Sequence, residues 1–274
     1  MGNAAKRSII LQYIAGWAAI VLVAPAYFLF MRIRGYRIRD LKKTRRECLS
    51  QFEKHPGPWI ICANHLTMID SAILTYAMVS FTRHLTQFRI LPWNLPERDN
   101  FQKNIFLSVL CYLTKCIPVN RGGDRDEMKK TLEKCNVILR MGQNLMIFPE
   151  GGRSRTGRIN REGFSYGVGR FIKDFENCMV MCIYMRGDGQ DSYGTMPEPG
   201  ERFTVSIEVF RPEKVGYNGL RAQREYAQQV IKRLSRMEEE YFDAHRQRHC
   251  ELDGSGSARK ERRCPIHQSR LYVE

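Results

Sequence analysis

From residue 38 onward, short apolar runs alternate with stretches of helical period, and this alternation constrains the fold more than any other feature of the chain. The apolar runs lie at residues 59–63, 86–91, 116–119, 145–148, 179–185 and 203–210. They are rich in Ile, Val, Met and Phe and short enough to be strands. The helical stretches between them are 38–52, 69–80, 101–114, 125–140 and 163–174. Such alternation predicts an α/β domain with a largely parallel or mixed sheet flanked by helices. Residues 220–244 predict one long amphipathic helix, because Tyr226, Val230, Leu234, Met237 and Tyr241 recur at three- and four-residue steps.

Ahead of this pattern, residues 9–31 contain no charged side chain. At 1.5 Å per residue, a helix of that length reaches about 35 Å, enough for a hydrocarbon core of about 30 Å. The run is too long for the apolar part of a secretory signal peptide. It predicts either one spanning helix or a helix pair lying in the interface, since Gly16 and Pro25 are potential breaks. Lys6 and Arg7 precede it, and Arg32, Arg34, Arg37, Arg39, Lys42, Lys43, Arg45 and Arg46 follow. The heavier basic side belongs in the cytoplasm, so the domain after residue 31 is expected on the cytoplasmic face of the cell membrane. The expected division is an anchor at 1–31, a basic linker helix at 32–54, a domain at 55–248, and a polar, disordered tail at 249–274.

Charge then narrows the partners. The formal net charge of +15 implies an anionic partner. The basic residues crowd beside the apolar run, where anionic lipid headgroups attract each at about 1 kcal/mol. No aromatic-interleaved nucleic-acid motif accompanies them, so no specific nucleic acid is expected. The nine Cys are odd in number and scattered, with no C-x-x-C pair. That argues for reduced thiols and against a disulfide framework or a zinc site.

Three stretches stand where predicted strands end. The run at 59–63 leads into Asn64-His65-Leu66-Thr67-Met68-Ile69-Asp70. In open α/β sheets the carboxyl ends of strands are where ligands bind. Ile117-Pro118-Val119-Asn120 ends in Arg121, whose planar fork fits phosphate. The run at 145–148 opens into Pro149-Glu150-Gly151-Gly152-Arg153-Ser154, a basic, Gly-rich turn without the spacing or the Lys of a Walker loop.

In this order the stretches resemble the PlsC-like glycerolipid acyltransferases, the lysophosphatidic acid acyltransferase family. That family's N-H-x-[ST]-x-x-D is met at Asn64, His65, Thr67 and Asp70. Its Arg-ended apolar stretch is met at Arg121, and its F-P-E-G-x-R-S at Phe148, Pro149, Glu150, Gly151, Arg153 and Ser154. The Pro of its fourth motif is absent, with Cys182 or a neighbour in that slot. The resemblance implies a glycerol-3-phosphate acyltransferase-like fold and no cofactor, with acyl-CoA or acyl carrier protein as co-substrate and a lysophosphatidic acid-type acceptor. It implies His65 as general base oriented by Asp70, and Arg121, Glu150, Gly151, Arg153 and Ser154 at the substrate. A lyso-ornithine lipid or a lysophospholipid is the alternative acceptor. A membrane adaptor without catalysis and a metal hydrolase built on His65 and Asp70 are the competing classes; no third metal ligand is evident.

Overall fold

A computed structural model describes residues 3–101, 104–120, 122, 124–175 and 178–254. The elements are α1 (Asn3–Ile33), β1 (Arg37–Ile38), α2 (Leu41–Lys54), β2 (Trp59–Ala63), α3 (Asp70–Met78), α4 (Phe81–Thr86), β3 (Trp93–Asn94) and α5 (Arg98–Phe101). They continue as α6 (Ile105–Leu113), α7 (Arg125–Arg140), β4 (Leu145–Ile147), α8 (Gly167–Asp174), β5 (Met179–Gly187), β6 (Arg202–Phe210) and α9 (Gly219–Gly254). Two compact units result, Met1–Glu238 and Glu239–Glu274. Of the second, the described part is the end of α9.

The strands form a six-stranded mixed sheet in the order β1-β6-β5-β2-β4-β3, flanked by helices. Among the described residues the pairing of β5 with β6 is antiparallel and the other pairings are parallel. Every residue of β2 is buried, as a strand covered on both faces requires. Parallel pairing of β2 with both β4 and β5 has a direct consequence. Cys62 lies opposite Ile147 and Ala63 opposite Ile183, so the loops leaving the three strands emerge along one edge.

The apolar run at the start of the chain is one continuous helix with Pro25 inside it, not a pair. Its buried positions, Ile9, Gln12, Gly16, Ile20, Ala24 and Met31, repeat at helical steps and form a stripe. Ile20, Ala24 and Met31 share the main apolar core with Ile61, Met146, Met181 and Phe203.

Two expected strands differ. Residues 86–91 contain the end of α4 and a 3-10 turn at Phe88–Ile90 instead. The carbonyls of Phe88 and Leu91 accept from the buried Lys115 Nζ at 2.8 and 2.9 Å, so they are not offered to a ladder. The strand of this region is β3, just beyond. Among the described residues, 116–119 make two isolated bridges, Cys116 to Asn94 and Val119 to Glu97. Pro118 between them has no N–H to donate. The expected helix from residue 38 starts at Leu41, because Ile38 pairs with Phe203 in β1. The last helix runs past the expected Ala244 to Gly254, and residues 255–274 of the expected tail lie outside the described residues.

Candidate active site

The first loop on the shared edge follows β2. Where the backbone ladder between β2 and β5 ends, the Asn64 side chain continues it. Its amide donates to the Met185 carbonyl at 2.9 Å and accepts from the Met185 N–H at 2.8 Å. The next residue, His65, is clamped through its backbone. Its N–H donates to Glu150 Oε1 at 2.9 Å, and its carbonyl accepts from the Ser154 N–H at 2.8 Å.

The imidazole has two contacts that set its plane. It stacks on Phe148, with ring centroids 4.2 Å apart and planes 22° from parallel. Its Nδ1 lies 3.0 Å from Asp70 Oδ2. Asp70 opens α3 and is 1% exposed. Its Oδ2 also accepts from the N–H groups of Leu66 and Thr67 at 2.6 and 2.8 Å, and its Oδ1 from the Thr67 hydroxyl at 2.5 Å. An oxygen surrounded by donors in this way is an ionised acceptor. The helix amino terminus favours the same charge. Nδ1 of His65 therefore carries the proton toward Asp70, and Nε2 is the nitrogen left to act as a base.

The second loop follows β4. Glu150 is 8% exposed, and its Oε2 accepts from the Asn160 N–H at 3.4 Å while Oε1 holds His65. Burial pushes its carboxyl up to about 7, the charges of Glu238 and Asp70 add to this, and the two backbone bonds oppose it. The far side of the loop is tied to α9. Glu238 Oε1 accepts from the Ile159 N–H at 3.1 Å, and Oε2 pairs with Arg158 Nε at 3.4 Å. Burial raises the Glu238 carboxyl as well. Arg186, at the end of β5, donates to the Gly157 carbonyl at 2.5 Å. Gly157 has φ +67°, and a Cβ there would stand 2.2 Å from the Asp191 carbonyl oxygen, so this turn requires glycine.

Of the residues expected at the site, His65, Asp70, Glu150, Gly151, Arg153 and Ser154 lie on these two adjoining loops. Arg153 donates to the Gly194 carbonyl at 2.8 Å, with its guanidinium 5.6 Å from the centre of the Tyr193 ring. The Ser154 hydroxyl donates to the Arg158 carbonyl. Gly151 has φ +74° at the bend. Both carboxylate oxygens of Glu150 are spent on backbone N–H groups, so its contacts are with the loops. Arg121 lies outside the described residues. The segment before it borders a groove of about 250 Å³ lined by Arg98, Ile117, Pro118, Glu127, Lys130, Thr131 and Lys134.

Sequence reading alone missed Phe148 as the platform for the imidazole, and Arg186 and Glu238 as braces. Glu238 carried one signal: it stands four residues after Leu234, on the buried stripe of an otherwise amphipathic helix. Cys62, on the buried strand β2 two residues before Asn64, is a packing residue, and burial holds its thiol well above the usual range. Among the described residues no group of three His, Cys, Asp or Glu side chains is placed to hold a metal ion.

This architecture agrees with a family-level comparison. The family model described as Acyltransferase matches residues 38–186, from β1 to the end of β5. The match covers more than half of the chain and includes both loops, and the chain belongs to this acyltransferase family. No curated protein matches it.

Proposed function

We propose that the protein moves a fatty acyl group from a thioester, acyl-CoA or acyl carrier protein, to the free hydroxyl of a lysophosphatidic acid-type acceptor in phospholipid synthesis. The observation that carries this reading is the His65–Asp70 pair. It presents one imidazole nitrogen of fixed tautomer at the sheet edge where the two loops meet.

A hydroxyl is a poor nucleophile until its proton is removed as it attacks. His65 Nε2 takes that proton while the acceptor oxygen bonds to the thioester carbonyl carbon. The imidazolium so formed is stabilised by Asp70. Collapse of the tetrahedral species breaks the C–S bond, and the proton leaves on the thiol. No acyl-enzyme is needed, and the buried Cys62 does not enter. Arg153 and Arg121 hold the acceptor phosphate, while Glu150, Gly151 and Ser154 keep the loop in register with His65. The apolar α1 and its basic flanks place the enzyme on an anionic membrane, with the catalytic domain on the cytoplasmic face.

The test is acyl transfer from labelled acyl-CoA and acyl carrier protein to a panel of lyso-lipids. His65→Ala should abolish turnover and leave the fold intact. Arg121→Ala should weaken use of phosphate-bearing acceptors more than neutral ones. Full activity in His65→Ala removes the base assignment. A preference for lyso-ornithine lipid or a lysophospholipid changes the acceptor and leaves the chemistry standing.

A further inference from the structure

The helix α6 lies in the stretch between the two catalytic loops and has no part in the chemistry above. Its sequence, Ile-Phe-Leu-Ser-Val-Leu-Cys-Tyr-Leu, holds no charge, and none of its residues is buried. Ile105 and Phe106 are 81% and 72% exposed, and Val109 and Tyr112 also face outward. A water-facing helix puts its polar residues outside; α6 does the reverse.

Beside it, α1 has the same inversion. Leu11, Leu22, Leu29 and Ile33 are exposed on the side opposite its buried stripe. The two helices are joined closely. Gln12 donates to the carbonyls of Tyr112 and Cys116 at 3.0 and 2.9 Å. Gly16 permits the approach: a Cβ there would stand 2.6 Å from the Leu113 carbonyl oxygen. The ends of α6 are satisfied internally. Asn104 Oδ1 accepts from the Phe106 and Leu107 N–H groups at 2.9 and 3.3 Å, and the Thr114 hydroxyl donates to the Leu110 carbonyl at 2.8 Å. A helix entering lipid needs this, since no water is there to complete it.

We infer that α6 is a second lipid-inserting element, and that with the outer face of α1 it forms one continuous surface seated in a single leaflet. The inference rests on reading α1 as a membrane element and adds α6 to it. One leaflet follows from the packing of α1. It is buried on its inner side from Ile9 to Met31 and packs against α4, α6 and α7. That length is about 35 Å, as much as a whole hydrocarbon core. A transverse α1 would draw the charged α7 into lipid, at several kcal/mol per charge. Lying along the surface keeps α7 in water. Lipid suits the surface better than a second copy of the chain. Lys6 and Arg7 stand at one end of α1, Arg32 and Arg34 at the other. A second copy meets like charge whichever way it lies, whereas anionic headgroups meet opposite charge at both ends.

The test uses the full-length protein with vesicles of phosphatidylcholine containing a minor share of phosphatidylglycerol. Cosedimentation is compared for the wild type and for the double variant Ile105→Asp/Phe106→Asp. Both side chains are exposed, so the variant should keep the wild-type circular dichroism and unfolding midpoint in detergent. It should partition at least about tenfold more weakly, the scale of losing one large apolar side chain from lipid. A separate Phe106→Trp variant should show added fluorescence quenched by lipids brominated in their acyl chains. Equal vesicle binding by the double variant, or no quenching of Trp at 106, overturns the role of α6 while the α1 reading stands. Absence of vesicle binding by the wild type overturns both. Unchanged vesicle binding together with conversion of a dimer to a monomer assigns the face to a second copy and overturns the proposal.

Discussion

Replacing Asp70 with Asn removes one negative charge and almost no volume, and its consequences separate folding from catalysis. Asp70 accepts four hydrogen bonds: three converge on Oδ2, from His65 Nδ1, Leu66 N and Thr67 N, and one reaches Oδ1 from the Thr67 hydroxyl. An Asn oxygen in place of Oδ2 keeps the three, and the Thr67 hydroxyl turns to accept from the new NH2. A bond to a charged acceptor is worth about 1 kcal/mol more than one to a neutral acceptor. The two backbone bonds therefore weaken by about 2 kcal/mol together, a fall in unfolding midpoint of about 4–8 °C for a domain of this size. Turnover suffers more, because the imidazolium formed during attack loses its counter-charge. We expect kcat to fall about 100- to 10,000-fold, or ~3–5 kcal/mol of barrier. The assay is thiol release from acyl-CoA in the presence of lysophosphatidic acid, well below the midpoint, where the variant is still folded. A kcat within tenfold of the wild type refutes the role of Asp70. So does a loss of activity that tracks the unfolded fraction and nothing else.

Three other outcomes follow from the same geometry. Burial lifts Glu150 from an ordinary value near 4.5 to about 7. Between those values the folded protein keeps a proton that the unfolded chain has released, so stability should fall as pH rises through that window, by up to about 3 kcal/mol. Glu150→Gln should flatten this slope in denaturant midpoints measured across it, and an unchanged slope assigns the effect elsewhere. Phe148→Leu keeps apolar volume and removes the ring stacked 4.2 Å from His65. The stack is worth about 0.5–1.5 kcal/mol, so kcat should drop roughly 2- to 10-fold with KM little changed; a change confined to KM assigns Phe148 to substrate binding instead. Gly157→Ala forces a left-handed φ and a contact with the Asp191 carbonyl. It should cost about 1–3 kcal/mol, visible as a lower melting temperature and faster proteolysis of the loop, and a neutral effect refutes the close approach.

The parts of this molecule legible in the sequence are those set by local pattern. The strand at 59–63 and the two loops on its edge are marked by apolar runs that end in turn chemistry. They fall side by side because β2 pairs in parallel with β4 and β5. Where the pattern fails, tertiary contacts have decided. The buried Lys115 Nζ takes the carbonyls at 88 and 91, and the stretch turns instead of extending. Pairing with β6 pulls Ile38 out of the following helix. The place of Glu238 on the apolar stripe of its helix marks it as buried, but its partners Ile159 and Arg158 are far away in the chain, and no local signal names them. The uncharged run at 9–31 hides its inner face for a simpler reason. Both faces are apolar, so composition does not distinguish the stripe that packs on protein from the one left outside.

That inner stripe has a consequence for how the chain is made. Ile20, Ala24 and Met31 leave the ribosome well ahead of Met181, Ile183 and Phe203, with which they share a core. At 5–20 residues per second the wait is roughly 10–30 s. Until α4, α6 and α7 have emerged, the uncharged run has no protein partner, and until the sheet closes its core-facing side stays incompletely covered. The bilayer or a chaperone must shield it, and it must then give up part of that shelter when the sheet closes. Biogenesis of this protein is therefore an exchange of partners by its first helix, and substitutions in that stripe should be felt as failed maturation before they are felt as lost activity.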